Sequence, residues 1–159
     1  MIRVGLIADT HGLMRADVAR AFAGVDLILH AGDVGSRKVL DALVKIAPVE
    51  AVFGNVDDAE DPALERERSV TLDGVTIHVS HGHELGRPSP ELMLARYTGD
   101  VLVFGHTHRA LIVRRRAPAP GRLVVNPGSA GPRRFDLEPS VALLTIEHGR
   151  ADATIVPLE

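Results

Sequence analysis

Short aliphatic runs divide the chain, and most of them end on a polar residue. Ile2–Ala8 stops at Asp9, Val25–Ala31 at Gly32-Asp33, and Val49–Phe53 at Gly54-Asn55. Between these runs the apolar period changes from strand to helix. Arg15–Ala23 carries Val18, Ala19 and Phe22 on one face. Ser36 is a candidate cap for a helix through Ala47, where Val39, Leu40, Leu43, Val44 and Ile46 recur at helical spacing. Two strand–loop–helix–strand units within 53 residues predict a parallel sheet.

Residues 57–69 are charged, contain Pro62 and read as a loop. Ser69–Leu72 and Val75–Ser80 flank Asp73-Gly74, a dipeptide suited to a tight hairpin. Pro90 begins a helix that would reach about Tyr97, and Val101–Phe104 is a further buried strand. Leu111–Arg116 and Leu123–Val125 pair across a Pro/Gly loop, and Val141–Ile146 and Asp152–Val156 join at His148-Gly149. No repeat or linker interrupts the pattern. It predicts one α/β domain over 1–159 whose later part is mainly antiparallel.

Composition narrows the chemistry. One Tyr, four Phe and no Trp leave a core of Val, Leu, Ile and Ala, as in strands covered on both faces. The same scarcity of rings, with a net charge of −3, argues against stable nucleic-acid binding. With no cysteine, thiolate catalysis, disulfides and Cys-based zinc sites are excluded. No apolar run is long enough for a signal peptide or membrane span, so a soluble, cytoplasmic protein is expected.

The chemistry lies at the strand ends. Five strands finish in Asp9-Thr-His11, Gly32-Asp33, Gly54-Asn55, His81-Gly-His83 and Gly105-His106-Thr-His108. Any one of these reads as a turn or cap, as Gly99-Asp100 does. Five together, restricted to metal-ligand residue types, point to one ligand-binding crevice at the carboxyl ends of parallel strands. The glycines before Asp33, Asn55 and His106 are expected to allow sharp backbone turns. Two Asp, one Asn and up to five His exceed a single four-ligand site. Their mixed oxygen and nitrogen donors suit Mn²⁺, Fe²⁺ or Zn²⁺ better than Ca²⁺. Asp33, central in the series, could bridge two cations about 3.5–4 Å apart, a pair that activates water without a protein nucleophile.

The ordered set D-x-H, G-D, G-N, H-G-H and G-H-T-H, with Asn126-Pro-Gly-Ser129, resembles the calcineurin-like metallophosphoesterases. Within them it is most similar to the small phosphodiesterases of the YfcE type, over residues 2 to about 131. The resemblance implies a four-layer αββα fold, a two-sheet mixed β-sandwich flanked by helices. It implies two divalent ions, Mn²⁺ first and Ni²⁺, Fe²⁺, Zn²⁺ or Mg²⁺ as alternatives. Asp9, His11 and His108 would hold one ion and Asn55, His81 and His106 the other, with Asp33 between. The implied partner is a small phosphodiester substrate; a homodimer is left open.

One position departs from the family. Many larger members carry a histidine after the motif asparagine, where this chain has Val56. Valine moves no proton, which removes a general acid ordinarily worth about 10²–10⁴ in rate. His83 is the candidate substitute, and Asp33, Asn55 and His83 are the residues expected to take part in the chemistry itself. His30, His78 and His148 read as structural. Asn126 to Ser129 would close the site, and Arg133 and Arg134 are candidates to meet substrate phosphate. Arg114–Arg116 read as an exposed strand. Two other readings fit the resemblance: a phosphomonoesterase or protein phosphatase, and a non-catalytic scaffold of the retromer type, which loss of His11 would favour.

Overall fold

In the computed structural model, which describes residues 1–134 and 136–159, ten strands form two five-stranded sheets. The first contains β1 (Ile2–Ile7), β2 (Leu27–His30), β3 (Val49–Ala51), β9 (Ser140–Glu147) and β10 (Arg150–Pro157), in the order β10-β9-β1-β2-β3. The second contains β4 (Glu67–Leu72), β5 (Val75–Ser80), β6 (Val101–Val103), β7 (Leu111–Arg115) and β8 (Arg122–Asn126), in the order β4-β5-β6-β8-β7. Helices α1 (Ala16–Ala21) and α2 (Arg37–Val44) cover the first sheet, and α3 (Pro90–Arg96) covers the second. The expected αββα sandwich is the observed one.

Strand period 2 explains the layering. Val4, Leu6 and Ala8 point into the cluster between the sheets, where they meet Ile77, Val79, Val103 and Val125. Ile7 and Ile28 point the other way, against Val18, Phe22, Val39 and Leu43 beneath the helices. Both faces of the central strands are therefore buried, and the strands read as continuous aliphatic runs. The predicted signals act locally as expected. Ser36 Oγ accepts from the Lys38 amide at 3.2 Å, and Ser89 Oγ accepts from Leu92 at 3.2 Å ahead of Pro90. Asp73 and Gly74 both take positive φ (47° and 77°), as a tight hairpin requires.

The later half is mainly antiparallel, as expected, but the centre of its sheet is parallel. Within the second sheet β5, β6 and β8 run parallel, and the edge strands β4 and β7 are antiparallel to their neighbours. The final hairpin returns to the first sheet, where β9 pairs with β1. The β7–β8 pair is local and legible, but its insertion beside β6 is a long-range docking that leaves no mark on sequence period. Among the described residues, no helix is long and apolar enough to cross a membrane.

Candidate dinuclear metal centre

Each sheet has a parallel core, β1-β2-β3 in one and β5-β6-β8 in the other, and the loops after these strands converge on one edge of the sandwich. Two groups of donors form there. Asp9 and His11 follow β1 and meet His108 from the β6 loop: His108 Nε2 lies 3.4 Å from both His11 Nε2 and Asp9 Oδ1. Asp33, His81 and His106 form the second group, after β2, β5 and β6. His81 Nε2 lies 3.3 Å from Asp33 Oδ2, and Asn55 Oδ1 lies 3.1 Å from both His81 Nε2 and His106 Nδ1. Asp33 stands between the groups, its Oδ2 also 3.7 Å from His11 Nε2.

These donors fit cations. Asp9 Oδ1 is buried without a hydrogen-bond partner, faced by Nε2 of His11, His81 and His108 at 3.9, 3.8 and 3.4 Å. An orphaned carboxylate oxygen in such a place is costly unless a positive charge meets it. His81 Nδ1 donates to the Ala31 carbonyl at 2.8 Å, which leaves Nε2 as a lone pair facing Asn55 Oδ1, another acceptor. Electrostatics agree. Burial alone would push His81 down, but the hydrogen bond that a protonated Nε2 gives Asp33, with the charges of Asp9 and Asp33, outweighs it and holds its pKa above the ordinary value. The site is thus built to attract positive charge. Burial likewise works against ionisation of Asp33, but His81 and the Val56 amide bring its pKa down to about 2. Burial pushes His11 and His106 below the ordinary imidazole range, which keeps them neutral, the form that binds metal.

The backbone is held in an uncommon conformation to achieve this. Asp9, His11, Asp33, His106 and His108 all have positive φ, between 46° and 71°. Each such non-glycine residue costs about 1–3 kcal/mol, and such strain clusters at functional sites. The neighbouring glycines act differently from the expectation. Gly32 does turn with positive φ (99°), but Gly54 and Gly105 do not. They supply room: a Cβ on Gly54 would fall 2.1 Å from Asp33 Oδ1, and one on Gly105 2.7 Å from Asp9 Oδ2. Gly54→Ala, whose backbone conformation suits alanine, should therefore displace Asp33 and lower kcat/KM about a hundredfold with weakened metal binding. Wild-type metal affinity in that variant, measured by calorimetry, would refute the close-approach explanation.

Surrounding polar groups fix the loops. Asn126, fully buried, donates through Nδ2 to the Gly105 carbonyl (3.2 Å) and Thr107 Oγ1 (3.1 Å) and accepts from Gly128 N. Ser129 Oγ donates to the Asp9 carbonyl at 3.0 Å. Asp57 accepts from the amides of Val34, Gly35 and Gly54 at 2.9–3.0 Å, tying the β2 and β3 loops together. Nothing in the sequence distinguishes that aspartate from its charged neighbours.

The other histidines divide. His30 is buried, its Nδ1 accepting from Gly32 N and its Nε2 donating to Thr10 Oγ1; burial brings its pKa down to about 4. His78 stacks on Tyr97 with ring centroids 4.0 Å apart and contacts Ser80 Oγ, on the α3 side of the second sheet. His148 sits in the β9–β10 turn, beyond the pairing of Ile146 with Ile2 and so at the far end of β1 from Asp9. His83, by contrast, stands beside the centre. Its ring centroid is 5.3 Å from that of His81 and 6.4 Å from that of His106, and its buried Nδ1 has no hydrogen-bond partner. Burial and then the His81 charge lower its pKa. Val56 is 54% exposed, and its amide donates to Asp33 Oδ1 at 3.0 Å.

A cleft of about 330 Å³ adjoins His106 and His108 and is walled by Arg87, Thr107, Arg109, Arg134 and Leu137. Arg134 was expected from the sequence. Arg87 and Arg109 were not, although Arg109 directly follows a candidate ligand and Arg87 closes the run that begins at His81. Arg114 is only part-exposed, donating to the Ala151 carbonyl and pairing with Asp152.

Comparison with known proteins agrees with this geometry. The family model of the calcineurin-like phosphoesterase superfamily domain matches residues 2–149. A probable metallophosphoesterase of Methanothermobacter thermautotrophicus is 36% identical over 163 residues, 96% of this chain and 91% of its own. Phosphodiesterase YfcE of Escherichia coli K12 is 32% identical over 139 residues, 72% of this chain and 74% of its own. Among solved structures, wild-type Vps29 of Entamoeba histolytica, crystallised as a complex with Zn²⁺, superposes with a TM-score of 0.76 at 25% identity, covering 98% of this chain and 99% of its own.

Proposed function

Since the chain belongs to the calcineurin-like phosphoesterase superfamily, we propose that it is a metal-dependent phosphodiesterase acting as one domain over its whole length. The observation that carries this reading is the orphaned Asp9 Oδ1 within a complete set of seven convergent donors. In this reading Asp9, His11 and His108 hold one divalent ion, Asn55, His81 and His106 the other, and Asp33 both. Two such ions, Mn²⁺ being the expected pair, supply Lewis acidity that activates water and offsets charge at phosphorus. The chain's own residues set the geometry. Asp33, ionised far below neutral pH, contributes a fixed negative charge between the two groups. His81 is held in one tautomer by the Ala31 carbonyl. His83, its ring beside those of His81 and His106, is the candidate in this reading to protonate the departing oxygen.

Val56 shapes the expected specificity. It lies exposed where larger relatives of this kind carry a histidine, so no proton comes from that position. Aryl phosphodiesters with acidic leaving groups should react far faster than alkyl ones, and diesters should be preferred to monoesters. The test is kcat/KM over a series of aryl phosphodiesters and their matching monoesters. A flat dependence on leaving-group pKa would assign proton donation to another acid, which His83→Ala would then check. A monoester preference would favour the phosphatase reading. The scaffold alternative shares the fold, as the likeness to Vps29 shows, but this chain retains His11 and every other expected donor.

A further inference from the structure

The arginines of this protein fall into two populations. Several are structural. Arg3 donates to the Ala23 carbonyl, Arg15 to that of Gly131, and Arg68 to that of Ala51. Arg122 reaches three carbonyls, those of Leu94, Tyr97 and Gly99. Arg87, Arg109 and Arg134 are different. Among the described residues none of their guanidinium groups meets a carboxylate within 4.0 Å or donates to a backbone carbonyl. They arrive from three separate loops: after the 3₁₀ turn His83–Leu85, after His108, and between β8 and β9. All three wall one concavity, beside a histidine from each donor group.

Three cations brought to one wall repel one another, and among the described residues no carboxylate lies within 4.0 Å of their guanidinium groups. They do so in a chain of net charge −3, so the concentration is local and not a general basic surface. The guanidinium is the side chain best suited to phosphate, which it meets through paired N–H donors. A volume of about 330 Å³ lies within the range of small-molecule sites and exceeds what the reacting phosphorus alone would need. Thr107 adds a hydroxyl, although that hydroxyl already accepts from Asn126, and Leu137 adds an apolar wall.

We propose that the physiological substrate carries a second phosphate on one of its ester arms, and that Arg87, Arg109 and Arg134 bind it in this cleft. The proposal rests on the phosphodiesterase reading and adds the substrate class to it. A diester without the second phosphate leaves the cleft empty and is bound through its reacting phosphorus alone. Specificity then lies in the difference between the two substrates, expressed mainly in KM.

Two chromogenic diesters test this: thymidine 5′-(p-nitrophenyl phosphate) and the same compound bearing a 3′-phosphate, assayed with Mn²⁺. The wild-type protein should favour the 3′-phosphorylated compound about tenfold or more in kcat/KM, in line with charge-assisted hydrogen bonds. Arg109→Ala/Arg134→Ala should bring that ratio close to one, and Arg87→Ala should lower it severalfold. Arg116→Ala, on the exposed end of the β7 segment, should leave the ratio as in wild type. Equal kcat/KM for the two compounds in the wild type, or an undiminished ratio in the double variant, would overturn the cleft assignment while leaving the diesterase reading intact. Failure to hydrolyse either compound, or bis(p-nitrophenyl) phosphate, would overturn both.

Discussion

Asp33→Asn should lower kcat/KM by roughly three orders of magnitude and reduce bound metal below two ions per chain. Asparagine matches aspartate in size, so packing at this buried position is retained. Its carbonyl can still accept from the Val56 amide, as Asp33 Oδ1 does at 3.0 Å. The amide group would then take the place of Oδ2, 3.3 Å from His81 Nε2 and 3.7 Å from His11 Nε2, where both donor groups need negative charge. Since the Asp33 pKa lies near 2, the wild-type charge is present at every working pH and the substitution removes it completely. His148→Ala, in the hairpin at the opposite end of β1, should change neither activity nor metal content. Similar behaviour of the two variants would mean that the site is wrongly placed.

Removing the metals should have an effect at least as large. A chelator is expected to abolish hydrolysis and Mn²⁺ to restore it. The chain has no cysteine to attack phosphorus, and the groups that converge at the site are those that hold cations. Without an ion, Asp9 Oδ1 is buried and unpaired. The pH dependence follows from the same residues. A histidine must lose its proton to bind metal, so falling pH sets protons against ions. Burial holds His11 and His106 below the ordinary imidazole pKa, so they take up protons later than a free imidazole does. The His81 pKa is raised, so in metal-free protein His81 takes up its proton first, at a pH above the ordinary value. Metal rebinding should therefore weaken progressively on acidification, and His81 should set where the weakening begins. Undiminished turnover in stripped protein would end the metal-dependent reading.

Much of this arrangement was legible from sequence because the sandwich is built from strands buried on both faces. Such strands stand out as aliphatic runs, and their polar endings mark the edge where ligands gather. Asp9, His11, Asp33, Asn55, His81, His106 and His108 lie at those endings, the family resemblance singled them out as ligands, and the structure brings all seven together. What escaped was non-local. The docking of β7–β8 beside β6, which makes the second sheet parallel at its centre, depends on contacts across the core. The reason for Gly54 and Gly105 is a carboxylate arriving from a distant strand, not a local turn. Asp57 earns its three amide hydrogen bonds only once the β2 and β3 loops lie side by side. Arg87 and Arg109 become a pair only when their loops close on one cleft.

The central claim is that two ions act together, and counting them against activity tests it most directly. Protein stripped of metal would be titrated with Mn²⁺ while bound ions are quantified by mass spectrometry and hydrolysis of bis(p-nitrophenyl) phosphate is followed in parallel. The dinuclear account requires activity to rise until two ions are bound per chain and to plateau there. Full activity with one ion bound, or with none, would contradict it.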